Sequence, residues 1–147
     1  FEGAFTGGGS LANLLGLAAA RQHAGETRGF DPGLEGLQRL VEPRVYASTE
    51  VHHVVHRACG VLGLGRRALR LIPLGARRTP DLGALERFLD EDLAAGRTPV
   101  AVVASAGDVN TGAVEPVDDM RADEAGTACD EDSHCDAACK TGRVTGW

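Results

Sequence analysis

Three short runs rich in β-branched and apolar residues, Arg44–Ser48, Leu69–Ile72 and Val100–Ala104, alternate with two stretches of helical periodicity, and this alternation restricts the chain more than any other feature. After the first run, Val51, Val54, Val55, Ala58 and Leu62 recur at helical spacing. After the second, Thr79 can cap a helix with Pro80 at its first position; Leu82, Leu85, Phe88 or Leu89, and Leu93 give that helix a buried face, and Gly96 stops it. Val100–Ala104 is apolar without alternation, as a strand covered on both faces must be. Strand, helix, strand, helix, strand predicts an α/β fold with helical crossovers, in which ligands collect at the carboxyl ends of the strands. Upstream, Leu11, Leu14, Leu15 and Ala18 predict a helix that opens near residue 10 with Ser10 as N-cap, just after Gly7-Gly8-Gly9, and ends near Ala24-Gly25. Residues 26–43 read as loop with one helical turn around Leu37–Val41.

With 147 residues, 43% of them hydrophobic, the chain can bury one core of ordinary size. No run of about 18 apolar residues offers a membrane span, and no basic segment followed by an apolar one offers a secretory signal. The net charge of −6 is uneven, because residues 117–147 hold 3 basic and 8 acidic groups, or −5. Of the 15 basic residues only Lys140 is lysine, and no Lys/Arg stripe suits nucleic acid. Cys59 stands alone in a helical pattern while Cys129, Cys135 and Cys139 crowd the end, which is no disulfide framework and fits a reducing, cytoplasmic setting. From Val117 onward acidic residues leave no apolar stretch longer than three, so residues 1–116 are expected to build the core and 117–147 to form a solvated acidic tail. A chain that opens at Phe1 reads as a fragment.

Four stretches carry chemistry. Thr6-Gly7-Gly8-Gly9-Ser10 opens a helix, and freed backbone N–H groups, a hydroxyl and a helix N-terminus suit a phosphate; a glycine-rich linker before a capped helix is the plainer reading. His52 and His56 stand at i and i+4 beside His53, a spacing for two metal ligands without the Glu of H-E-x-x-H; each also reads as a half-exposed structural histidine, and a flat imidazole at a strand-to-helix junction could stack on an aromatic cofactor. The loop from Ala106 to Gly112 follows a buried strand, where a site or an ordinary Asx turn both fit. Cys129, His134, Cys135, Asp136 and Cys139 have metal-ligating chemistry but no recognised zinc spacing, so no metal site is assigned.

In order and spacing, three stretches resemble the large domain of the group II pyridoxal-5′-phosphate-dependent decarboxylases of aromatic amino acids, glutamate and diaminobutyrate. They are Gly3 to Leu14 with Ala19-Ala20-Arg21, Tyr46 to His52 with Arg57-Ala58, and Ala95 to Ser105 with Gly107 and Asn110 to Pro116. His134-Cys135-Asp136-Ala137-Ala138 resembles the family's His-x-Asp-Ala-Ala, which would continue the domain to Asp136. The resemblance implies a fragment of a fold type I large domain, a mostly parallel sheet with flanking helices. By the same resemblance Gly8, Gly9 and Ser10 would bind the cofactor phosphate, His52 would stack on the pyridine ring, Asp136 would pair with the ring nitrogen, and Ala138 would lie beside the ring. The implied function is a carboxy-lyase acting on a small-molecule amino acid through an external aldimine, with the full-length relative a homodimer. The family's Schiff-base lysine should follow Asp136 by some 30 residues, so the chain alone is expected to be inactive. Alternatives are another fold type I enzyme, an aminotransferase or C–C lyase, and a non-catalytic relic with a metal-binding tail.

Overall fold

The computed structural model describes residues 3–75 and 78–105, together with the backbone of 126–129. Its elements are α1 (Gly9–Glu26), α2 (Pro32–Glu35), β1 (Pro43–Ser48), α3 (His53–Val61), a 3-10 turn at Arg66–Ala68, β2 (Leu69–Ile72), α4 (Leu82–Ala94), β3 (Thr98–Ala104) and β4 (Gly126–Cys129). All strand pairs are parallel, in the order β2-β1-β3-β4. The alternation of strands and helices therefore yields the expected α/β sheet. Every residue of β3 is buried, in keeping with its unbroken apolar run and its place between two strands.

Two cores lie on opposite faces of the sheet. Val45, Ala47, Val100, Ala101 and Val103 meet Leu17, Ala20 and Ala24 of α1 and Val55, Ala58 and Cys59 of α3. On the other face Tyr46, Ile72, Val102 and Ala104 meet Ala84, Leu85 and Leu89 of α4. The alternation along β1, with Val45 and Ala47 toward one core and Tyr46 toward the other, is the period of two that a doubly covered strand imposes.

Several local expectations are corrected. The N-cap of α1 is Gly8, not Ser10, and no side chain caps it. The face that α1 buries runs through Asn13, Leu17, Ala20 and Ala24, while Leu11 and Leu15 are 50% and 46% exposed. Leucine and alanine surround this helix, so periodicity does not pick its inner face, and small residues let it approach the sheet. The helical turn expected around Leu37–Val41 lies instead at Pro32–Glu35. There the Asp31 carboxylate accepts from the N–H groups of Gly33 (2.7 Å) and Leu34 (3.3 Å), with Pro32 at the first position. At α4 the cap is Asp81, accepting from Ala84 N–H at 3.1 Å, rather than Thr79. Pro80 precedes the helix, in an antiparallel bridge with Leu74. Leu93, expected to be buried, is 44% exposed, and its neighbour Asp92 is fully buried. Finally, Gly126–Cys129 adds a strand to β3 within the stretch expected to be a solvated tail, since main-chain pairing does not require an apolar sequence.

Gly25 shows how closely α1 is packed. A Cβ there would lie 2.1 Å from Pro32 Cγ and 2.4 Å from its Cδ. In an open helix Gly→Ala would gain about 1 kcal/mol, but forcing the proline ring away costs about 1–3 kcal/mol. Gly25→Ala is therefore expected to lower stability by up to about 2 kcal/mol in urea unfolding, and a stabilised variant would contradict this packing.

Candidate functional site

Ser10, directly after the glycine run, faces the helix that His52 caps. β1 ends at Ser48, Val51 N–H donates to Ser48 C=O at 3.1 Å, and α3 begins at once with His52 as its N-cap. Ser10, in the first turn of α1, lines a cavity of about 170 Å³ with Leu14 and with Val54, Arg57, Ala58 and Val61 of α3. Farther along, Arg21 donates to the Leu62 carbonyl at 3.2 Å, just past the end of α3. The two helices thus run side by side in the same sense, and the start of α1 lies at the carboxyl end of β1, where α/β proteins hold ligands.

The helix start is built to approach an anion. Gly8 has φ 150° and ψ 165°, a conformation open in practice only to glycine, and no atom lies within 4 Å of where its Cβ would stand. Its carbonyl accepts from Leu11 (3.0 Å) and Ala12 (3.1 Å), so the first N–H groups of α1 have no carbonyl within the helix to take them. With the exposed Ser10 hydroxyl they form a phosphate-sized donor set at the positive end of an 18-residue helix.

His52 is exposed, and its Nδ1 accepts from Val54 N–H at 3.3 Å, which puts the proton of the neutral ring on Nε2. Its ring lies 4.2 Å from that of His53, tilted by 38°. The charge of His52, then desolvation, then Arg57 and His56 lower the pKa of His53. The crowding of these groups therefore disfavours the charged form of His53. Among the described residues no group of three or more His, Cys, Asp or Glu could hold a metal ion. The Ser48 hydroxyl, buried at the end of β1, has no hydrogen-bond partner among the described residues. The sequence signalled it only as the last residue of a strand.

The structure therefore brings Gly8, Gly9 and Ser10 to the end of the sheet where His52 starts α3. Asp136, Ala138 and the loop from Ala106 to Gly112 lie outside the described residues. Comparison with known proteins places the chain as a whole. The profile of the pyridoxal-dependent decarboxylase conserved domain matches residues 2–143. This chain belongs to the pyridoxal-dependent decarboxylase family. Tryptophan decarboxylase 1 of Oryza sativa subsp. japonica is 37% identical over 124 residues, covering 79% of this chain and 23% of that protein. An aromatic-L-amino-acid decarboxylase of Bacillus atrophaeus is 33% identical over 120 residues, covering 81% of this chain and 22% of that protein. Among solved structures, the glutamate decarboxylase domain of a Vibrio parahaemolyticus protein superposes with a TM-score of 0.73 at 30% identity, over 78% of this chain and 26% of that one. Oryza sativa TDC with PLP gives 0.65 at 34% identity, over 80% and 26%. The chain thus spans about a quarter of the length of the relatives it matches. The α/β architecture is that of decarboxylase domains of the family, and pyridoxal 5′-phosphate is the family's cofactor.

The described residues fit that cofactor at its phosphate and on one side of its ring. A helix start with unclaimed N–H groups and no side chain at Gly8 suits the phosphate. An exposed imidazole held by its own N-cap bond suits the ring.

Proposed function

We propose that this chain is a cofactor-binding piece of an amino acid decarboxylase, and that Gly8, Gly9, Ser10, His52, Asp136 and Ala138 form its share of the site. The observation that carries the reading is the meeting of the Gly8–Ser10 helix start and the His52-capped helix at one end of a parallel sheet. Bound pyridoxal 5′-phosphate supplies an electron sink for a bond breaking at the substrate's α-carbon. The N–H groups at the start of α1 and the Ser10 hydroxyl hold the phosphate. His52 would stack on the ring and keep water from that face. The Asp136 carboxylate would hold a proton at the ring nitrogen. The same reading makes the whole protein a cytoplasmic homodimer acting on a small amino acid. Among the described residues, no helix is long and apolar enough to cross a membrane.

The 147-residue chain alone is not expected to turn over, because it spans about a quarter of its relatives and Lys140, its single lysine, lies four residues past Asp136. The test mixes purified chain with pyridoxal 5′-phosphate and follows both binding and the absorbance of a protonated Schiff base. Saturable, phosphate-dependent binding without that absorbance is the expected result. Failure to bind would sink the cofactor-site reading, and a borohydride-trapped adduct on Lys140 would overturn the expected inactivity.

A further inference from the structure

At the opposite, amino end of the sheet, four arginines line one cavity. It has a volume of about 250 Å³ and is lined by Arg44, Arg67, Leu69, Arg70, Asp92 and Arg97. Arg44 is near the start of β1, Arg67 is in the turn before β2, Arg70 is at the start of β2, and Arg97 immediately precedes β3. Only one carboxylate among them is buried. Asp92 Oδ1 accepts from Arg70 and Arg97 at 2.9 Å each, with Arg44 Nε at 3.8 Å. The other acids stand at the rim: Glu42 holds Arg44 at 3.1 Å and Arg97 at 2.8 Å, and Glu91 holds Arg70. Both rim side chains are 60% exposed, where an ion pair contributes little to stability and exchanges readily with solvent. Arg67 is exposed and has no acidic partner among the described residues.

Four cations against three carboxylates leave the cavity positive, and two of those carboxylates are displaceable. Guanidinium forks pair with two oxygens at a time, and forks converging from different strands and turns suit an anion with oxygens in several directions better than a planar carboxylate. We propose that this cavity binds a phosphate-class oxyanion, separately from the Gly8–Ser10 helix start. The ligand is free phosphate or the phosphate group of a small molecule; the cavity chemistry is the same for both.

Isothermal titration of the full 147-residue chain with inorganic phosphate, and in parallel with phenyl phosphate, tests this at ionic strength matched with chloride. Saturable binding is expected with a Kd of about 1 mM or tighter. Arg67→Gln should weaken it by about tenfold through loss of a bidentate partner. Glu42→Gln should tighten it by about two- to threefold through removal of a competing carboxylate, whereas a purely structural ion-pair network predicts no such gain. Ser10→Ala lowers only the phosphate bound at the helix start, so the component that Arg67→Gln weakens should persist in it. Binding of both probes marks a phosphate-bearing molecule, and binding of inorganic phosphate alone marks the free ion; either supports the site. No saturable binding up to about 10 mM, an Arg67→Gln variant that binds like the parent, an unimproved Glu42→Gln variant, or binding lost only with Ser10→Ala would each overturn it. Circular dichroism of each variant confirms that the comparison is between folded proteins.

Discussion

Replacing Asp92 with alanine is expected to destabilise the protein by about 3–5 kcal/mol, the cost of breaking a buried ion pair by removing one partner. Domains of ordinary stability have about 5–15 kcal/mol in total, so the variant approaches unfolding. Asp92 is fully buried and joins three parts of the fold: Tyr46 of β1 donates its hydroxyl at 2.7 Å, Arg70 comes from β2, and Arg97 from the turn into β3. Without the carboxylate, the Tyr46 hydroxyl and two guanidinium groups lose their common acceptor. Urea unfolding at pH 7 measures the loss, and a change below about 1 kcal/mol would show that this hub does not hold the sheet to α4.

The same hub sets an acid dependence. Burial raises the pKa of Asp92, but hydrogen bonds from Tyr46, Arg70 and Arg97 outweigh it and hold the carboxyl below its ordinary value. A carboxyl depressed in the folded state adds stability that is full above the unfolded pKa of about 3.9 and is lost as pH falls through the folded pKa. The stability gap between the parent and Asp92→Asn should therefore be constant from about pH 5 to 8 and narrow below about pH 4. Burial first, and then the Asp92 hydrogen bond, push the Tyr46 phenol up, so it remains a donor throughout this range.

Gly8→Ala is expected to weaken pyridoxal 5′-phosphate binding by about tenfold to a hundredfold, because a side chain at φ 150°, ψ 165° costs about 1–3 kcal/mol. A Cβ at Gly8 would touch nothing within 4 Å, so the cost is conformational rather than a clash. The helix start can relax by turning its first peptide groups away, which spares the core and removes the phosphate donors. Affinity for pyridoxal, which lacks the phosphate, should change far less. Comparing the two ligands by fluorescence titration measures this, and an equal loss for both would place the effect outside the phosphate contact.

The motifs of the candidate site were largely legible in the chain. The Gly7-Gly8-Gly9 run, the β-branched run ending at Ser48 and His52 four residues after it are all local signals, and each depends on backbone chemistry that neighbours in sequence determine. The identity of the Asp92 hub was not legible. The pattern of apolar residues put Leu93 inside and marked nothing at Asp92, yet Asp92 is buried and Leu93 is not, because Tyr46, Arg70 and Arg97 meet the carboxylate and together outweigh its desolvation. The inward face of α1 was hidden for a related reason. Leucines and alanines occur all around it, and the face chosen is the one whose small residues admit the sheet and Pro32.

By itself the sequence determined the alternation of strands and helices, the unbroken apolar β3, and the glycine and histidine signals that mark the carboxyl end of the sheet, since these follow from local propensity and side-chain period. Only the tertiary structure decided the strand order β2-β1-β3-β4, the burial of Asp92 under Tyr46 and two arginines, and the gathering of four arginines around one cavity at the amino end. Those features depend on which distant residues meet. A contact between partners dozens of residues apart is set by how whole elements pack, and local sequence pattern does not encode it.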